Sequence, residues 1–340
     1  MNLRCAALNT GSDIHLLDHI APLAHLLDMP LITTDELNYS LAQKYYPQIK
    51  TRHEPDLEHK LGDLAASYDA LFECKYWAPH LKLLFRQLFN KEMRLVFCPH
   101  GQSDKGYQSP LLAPYVQQDR VLLYGNLLSQ MLQELKLQPP PSATIGNYRL
   151  NFYKKHRSFY DELAENEVFS KLPRGNLNLL YAPTWKDADS ATSFFDWTPE
   201  ILAQLPPDWN LILKLHPLLE QRDPARFYSL AARAENTPRV VLLSEFPPVY
   251  PILSRVDCYL GDASSVGYDM LPFGKPLFFT PGPSRRLHAC GEIVDSPAAL
   301  FQKNLAAPFR KQQQELCAQA FASLSDAEAK KNILSILFGA

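Results

Sequence analysis

The chain has 340 residues, of which 46% are apolar, and its 34 lysines and arginines against 36 aspartates and glutamates give a formal charge of −2. That length is long for one core and fits two domains of ordinary size, with enough apolar side chains to fill both. Near-neutrality removes any overall electrostatic drive toward nucleic acid or anionic lipid, so a site for an anion has to be local.

The first segment, LRCAALNTGSDIHLLDHIAPLAHLLD, is a short apolar run, then turn residues, then Ile14, Leu16, Leu17, Ile20, Leu23, Leu26 and Leu27 at helical spacing, which predicts a strand, a loop and a helix. PLITTDELNYSLAQKYY repeats the pattern, YDALFECKYW and RLVFCPHG each read as a strand running into a polar loop, and DRVLLYGNLLSQMLQEL gives a further strand and helix. Alternation of this kind predicts a parallel sheet covered by helices. Three consecutive prolines in KLQPPPSATIGNYRLNFYKKHRSFYDEL then stiffen a connection before a charged helical stretch. In the second half LNLLYAPTW, WNLILKLHP, RVVLLSE, VDCYLGD and PLFFTP are five more strand candidates separated by helix-length segments.

The division expected from this reading is an N-terminal domain over 1–155, a C-terminal domain over 156–320 and a C-terminal helix over 321–340, whose Ile333, Leu334, Ile336, Leu337 and Phe338 can dock on a domain surface. The fold class is α/β, two doubly wound Rossmann-like domains whose strand ends and binding loops face a cleft. Six cysteines include no CxxC pair, and Cys5, Cys98 and Cys258 fall in apolar runs, so they read as small core residues in a reducing, cytoplasmic setting. The opening MNLRCAALNTGSD lacks a basic region followed by a long apolar one, and no window approaches the ~20 apolar residues that span a bilayer. Membrane contact, if any, is expected to be peripheral.

Candidate chemistry sits in the loops after strands. In FCPHGQSDKGY, His100 follows an apolar strand by two residues and is either an imidazole presented as a general base or a loop histidine bonded to a neighbouring turn. Lys105 in the same loop, and Asp13 and His15 after the first strand, are further site candidates of the first half. In LLYAPTWKD, Thr184 and Lys186 can reach a phosphate, unless Pro183 and Trp185 simply close and pack the turn. LILKLHP places Lys214 and His216 on one strand face at its carboxyl end, a pair of cations for an anion or the polar face of an edge strand. After VDCYL, residues Asp262, Ala263, Ser264 and Ser265 are expected to form the first turn of a helix, where unpaired amides favour an anion and where Ser and Asp also serve as ordinary caps. Asp269, one turn on, orients the helix, bonds a ribose or is a surface charge.

HGQSDK, IGNYRLNFY, YAPTWKD, KLHP and GDASSVGYDMLPFGKP, in that order, resemble the CDP-glycerol glycerophosphotransferase family of teichoic-acid and capsule polymerases, from about His100 to Pro276. The resemblance implies the two-domain GT-B arrangement, a metal-independent reaction without a cofactor, a nucleotide diphosphate donor in the second domain and an acceptor held by the first. It matches His100 to the family's HG histidine, His216 to the histidine of KxHP, and Ser264, Ser265 and Asp269 to the serines and aspartate of the DYSS helix. The chain departs from the family pattern at Gly261 and Ala263, where Ser or Thr and then Tyr are usual. The implied function is transfer of glycerol phosphate or a related phosphoalcohol from a CDP-linked donor to a glycan or lipid-linked hydroxyl, with His100 and His216 catalytic. A nucleotide-sugar glycosyltransferase and a non-catalytic nucleotide-sugar-binding protein are the alternatives.

Overall fold

The computed structural model describes residues 3–104, 110–185, 192–283, 285–306 and 308–338, with the backbone alone for Pro110, Leu111 and Arg222. Seven strands form the first sheet: β1 Cys5–Asn9, β2 Leu31–Thr33, β3 Thr51–His53, β4 Ala70–Glu73, β5 Arg94–Phe97, β6 Arg120–Leu123 and β7 Ser142–Thr144. Their order is β3-β2-β1-β4-β5-β6-β7 and every pairing is parallel. Ala6, Ala7, Leu31, Leu71, Phe72, Val96 and Leu122 are buried, because helices cover both faces of a parallel sheet. The second sheet holds β8 Leu177–Ala182, β9 Trp209–Lys214, β10 Val240–Leu243, β11 Cys258–Gly261, β12 Leu277–Phe279 and β13 Glu292–Ile293. Its order, β10-β9-β8-β11-β12-β13, is again wholly parallel. Leu179, Tyr181, Leu211, Leu213, Cys258 and Leu260 join Phe194 and Ile201 of the covering helix Phe194–Gln204 in its core.

Both sheets are doubly wound, as the alternation predicted. In each, the order reverses between two central strands, β1 and β4 in the first and β8 and β11 in the second. Chains leaving those strands go opposite ways, which opens a crevice at their carboxyl ends.

Packing divides the chain into two units. One runs to His100, resumes over Pro110–Lys155 and takes the tail from Ala318 onward; the other takes the loop beginning at Gly101 and His156–Cys317. Two segments therefore group differently from a simple division at residue 155. The tail lies against the first unit, where Ala322 N–H donates to Tyr124 O at 2.9 Å and Asn332 Nδ2 to Thr144 O at 2.9 Å. Its helix Asp326–Phe338 buries Ile333 and Leu337, while Phe338 stays 52% exposed, so the docking face is narrower than the run of apolar residues suggested. The approach requires a glycine. A Cβ on Gly125 would stand 2.7 Å from the carbonyl oxygens of Gln319 and Ala320.

Candidate functional site

In the second unit β8 and β11 are neighbours, with Leu260 beside Tyr181 and Gly261 beside Ala182. Asp262, the first residue past β11, joins the two diverging loops: Oδ1 accepts the Thr184 N–H at 2.7 Å, and Oδ2 accepts the Ser193 N–H at 3.0 Å and its hydroxyl at 2.7 Å. Tyr181 donates to Ser193 Oγ at 2.9 Å and extends the network into the core. Asp262 was expected to touch the donor; its carboxylate is instead engaged by three donors of the protein and fixes the shape of the loop. Gly261, the first departure from the family pattern, has a steric reason. A Cβ there would lie 2.0 Å from the hydroxyl of Tyr259, whose ring fills that space.

The residues Asp262 to Ser265 do not form a helical turn. They make a bend and a turn, and the helix itself is Val266–Met270, five residues long. Ser265, at the cap position, makes no side-chain capping bond, and Ser264 Oγ accepts the Val266 N–H only at 3.4 Å. Capping is thus a minor part of what these serines do. Among the described residues the N–H groups of Ala263, Ser264 and Ser265 donate to nothing. Three successive backbone donors at a strand end are chemically suited to an anion. The short helix adds little dipole, so the amides and hydroxyls supply the attraction. Asp269 is buried, and Tyr250 of the helix Tyr250–Leu253 donates to its Oδ1 at 2.9 Å. It holds this helix in place and is not a surface charge.

Strand β9 stops at Lys214. His216 lies beyond it, in the turn before the helix Leu218–Arg222, so the expected shared strand face covers Lys214 alone. The Leu218 N–H donates to His216 Nδ1 at 3.2 Å, which leaves the ring proton on Nε2, and the Trp185 ring lies 6.1 Å away, centre to centre. This imidazole can donate from Nε2 to a phosphate oxygen. Thr184 is buried, and Lys186 lies outside the described residues.

In the first unit His100 is exposed, and its Nδ1–H donates to the Cys74 carbonyl at 3.2 Å, which makes Nε2 the basic nitrogen of the neutral ring. The His15 ring is 5.9 Å from it and the His19 ring 6.4 Å. Asp13 pairs with Lys75 at 2.7 Å. Lys105 lies outside the described residues. His19 was missed in the sequence because it falls among the apolar positions of a helix, yet its spacing of four from His15 puts both on one face. Tyr124 donates to Pro99 O at 3.0 Å and so accepts from His19 Nδ1–H at 2.8 Å. Glu73 was also missed. It ends β4, is buried beside Thr10, and burial pushes its carboxyl above the ordinary range.

Two doubly wound parallel sheets of this kind are a GT-B-like architecture. Residues 147–281 match the family model of CDP-glycerol:poly(glycerophosphate) glycerophosphotransferase, a stretch that holds Thr184, Lys214, His216 and Asp262 to Asp269. Over those residues the resemblance read from the motifs is borne out. A variant of the wall teichoic acid polymerase TagF is similar in fold, with a TM-score of 0.63 at 14% identity over 99% of this chain and 88% of that one. So is Alr3699/HepE of Anabaena in complex with UDP and glucose, with a TM-score of 0.60 at 13% identity over the whole of both chains. No curated protein is similar enough to match.

Proposed function

We propose that the protein transfers a phosphoalcohol such as glycerol phosphate from a CDP-linked donor to a hydroxyl of a glycan or lipid-linked acceptor. The observation that carries this reading is the run of three backbone N–H donors, Ala263, Ser264 and Ser265, that bond nothing among the described residues, inside the stretch matched by the glycerophosphotransferase family. The amides and serine hydroxyls hold the donor diphosphate, His216 donates to it from Nε2, and Asp269 and Tyr250 keep the following helix in position. His100 Nε2 takes the acceptor proton as that hydroxyl attacks the donor's β-phosphorus; the bond to the α-phosphate oxygen breaks and CMP leaves with the electron pair. The Nδ1–H bond to Cys74 O supports this role, since it fixes the tautomer a base requires. Lys186, Lys214 and Thr184 remain donor-side candidates, and Asp13, His15 and Lys105 acceptor-side ones.

The full-length fold match to a protein crystallised with UDP and glucose favours one second reading, a nucleotide-sugar glycosyltransferase with the same diphosphate site. A thermal-shift series with CDP-glycerol, CDP-ribitol, CMP, UDP and UDP-glucose separates the two. A donor at 100 times its dissociation constant stabilises by about 2.7 kcal/mol, and the expected order places the CDP-alcohols first. Stabilisation by UDP-glucose alone would select the second reading, and none by any nucleotide would end both.

A further inference from the structure

Beside the Asp262 turn, on the side away from β9, the second unit contains a pocket of about 160 Å³ whose wall, apart from Asp262 and Ala263, holds no residue that the sequence marked as a site candidate. Its wall includes Asp196 and Trp197 from the start of the helix Phe194–Gln204, Thr280 after β12, and Arg285 and His288 from the cap and the interior of the 3₁₀ segment Arg286–Cys290. Arg285 and His288 lie past the end of the family match at residue 281. We propose that this pocket receives the group the donor transfers, and that it recognises that group by its hydroxyls, as a small polyol or sugar. The inference rests on the nucleotide-donor reading above.

Size comes first. The volume is below the ~300 Å³ at which pockets for drug-sized ligands begin, so the pocket takes a fragment of a nucleotide donor and not the whole. Charge decides which fragment. A phosphate is disfavoured, because the lining sets two carboxylates, Asp196 and Asp262, against the single guanidinium of Arg285, with Arg226 3.9 Å from Asp196. A nucleobase would be expected between ring faces, and Trp197 is the one π-stacking ring in the lining besides the His288 imidazole. Hydroxyls suit the set: the carboxylate of Asp196 accepts from them, Arg285 donates, and Thr280 and His288 can do either. His288 Nδ1 is buried and finds no hydrogen-bond partner among the described residues, and a buried polar atom of that kind calls for one. Burial, opposed by Asp104 and aided by Arg285, holds this imidazole's pKa below its ordinary value, which favours the neutral ring that both donates and accepts.

The wall is built to stay in place. Asp104 of the HGQSDK loop accepts the Leu287 N–H on Oδ2 at 3.1 Å and the Tyr268 hydroxyl on Oδ1 at 2.6 Å, while its carbonyl accepts from Arg285 Nη1 at 3.2 Å. Phe279, buried at the end of β12, backs the His288 ring at 4.8 Å between centres. Position fits as well. The pocket adjoins the Ala263 amide, the first of the three free donors, on the β12 side, and His216 follows β9 on the other side of β8.

The test compares each donor with its own nucleotide by calorimetry, CDP-glycerol against CDP and UDP-glucose against UDP, in wild type, His288→Ala and Asp196→Ala. Asp196 is 85% exposed at the side chain, so its variant does not threaten the fold, and retained CDP or UDP binding reports an intact protein in both. The expected result is a dissociation constant about tenfold weaker for the complete donor in each variant, with the bare nucleotide unchanged. Equal losses for donor and nucleotide would assign the pocket to the nucleotide and overturn the inference, as would no loss for either. Wild-type protein that binds none of the four would overturn the donor reading itself, and this inference with it.

Discussion

His100 carries the heaviest chemical assignment of any residue, and its environment makes a specific demand. With Nδ1–H committed to the Cys74 carbonyl, only Nε2 can accept a proton. His100→Ala should therefore lower turnover by about 10²- to 10⁴-fold while donor affinity, which rests on residues of the other unit, stays within about twofold. Steady-state kinetics beside calorimetry check this, and a parallel loss of nucleotide binding would make His100 a ligand contact. At the proposed anion site, replacing Ser264 and Ser265 together by alanine should cost the fold less than the ~1 kcal/mol of a lost cap, because neither makes a close capping bond. Donor binding should weaken by more, since each hydroxyl bonded to a phosphate contributes roughly 1.5–3 kcal/mol. Denaturant midpoints and titrations on one double variant give both numbers, and unchanged donor affinity would remove the serines from the site. Much of this was legible in the sequence, because serines, histidines and a lysine at strand ends announce themselves by type. Partnership was not. Asp262 reads as a ligand contact until its oxygens are seen bonded to Thr184 and Ser193, and His288 is one histidine among ten until a pocket forms around it.

At the level of elements, the ten apolar strand candidates are all strands, because a strand buried on both faces must be continuously apolar and so stands out. The three that were missed are short edge or near-edge strands: β3 reads Thr-Arg-His, β7 Ser-Ala-Thr and β13 Glu-Ile, and their pairing comes from the neighbouring strand rather than from their own composition. The helix expected from Asp262 begins four residues later because Asp262 spends its side chain on the loop after β8. One polar residue ties several strands together in the first sheet. Asp69, just before β4, donates its N–H to Arg4 O at 2.7 Å and accepts the Arg94 N–H on its carbonyl at 3.2 Å, while its carboxylate pairs with Lys91. Burial alone would raise its pKa, but the bonds from Lys91 and Arg4 outweigh burial and bring it from the ordinary 3.8 down to about 2. A depressed carboxyl stabilises the fold above its unfolded value, so this contribution is complete above about pH 4 and is lost as the pH falls toward 2. Urea midpoints followed from pH 5 to 2 should thus drop less steeply in Lys91→Met than in wild type, and parallel curves would show that the pair carries no such linkage.

For the whole molecule, the sequence suggested two domains and a tail helix able to dock, but not which unit the tail would join, because the choice depends on backbone carbonyls meeting Gly125 and not on any side-chain pattern. Deleting residues from 318 onward should accelerate amide exchange in β6 and β7 by at least about tenfold while leaving β8, β9 and β11 unchanged. Uniform acceleration in both sheets, or none, would mean the tail does not complete the first unit alone. The same arrangement bears on synthesis. The strands of the first sheet are translated first, yet the residues that cover Tyr124 and β7 follow the whole of His156–Cys317. That intervening stretch is 317 − 155 = 162 residues, which at ~5–20 residues per second occupies a ribosome for about 8–32 s. Throughout that interval the first unit waits with its last strand uncovered, so the part of the nascent chain that emerges earliest is the last to be completed.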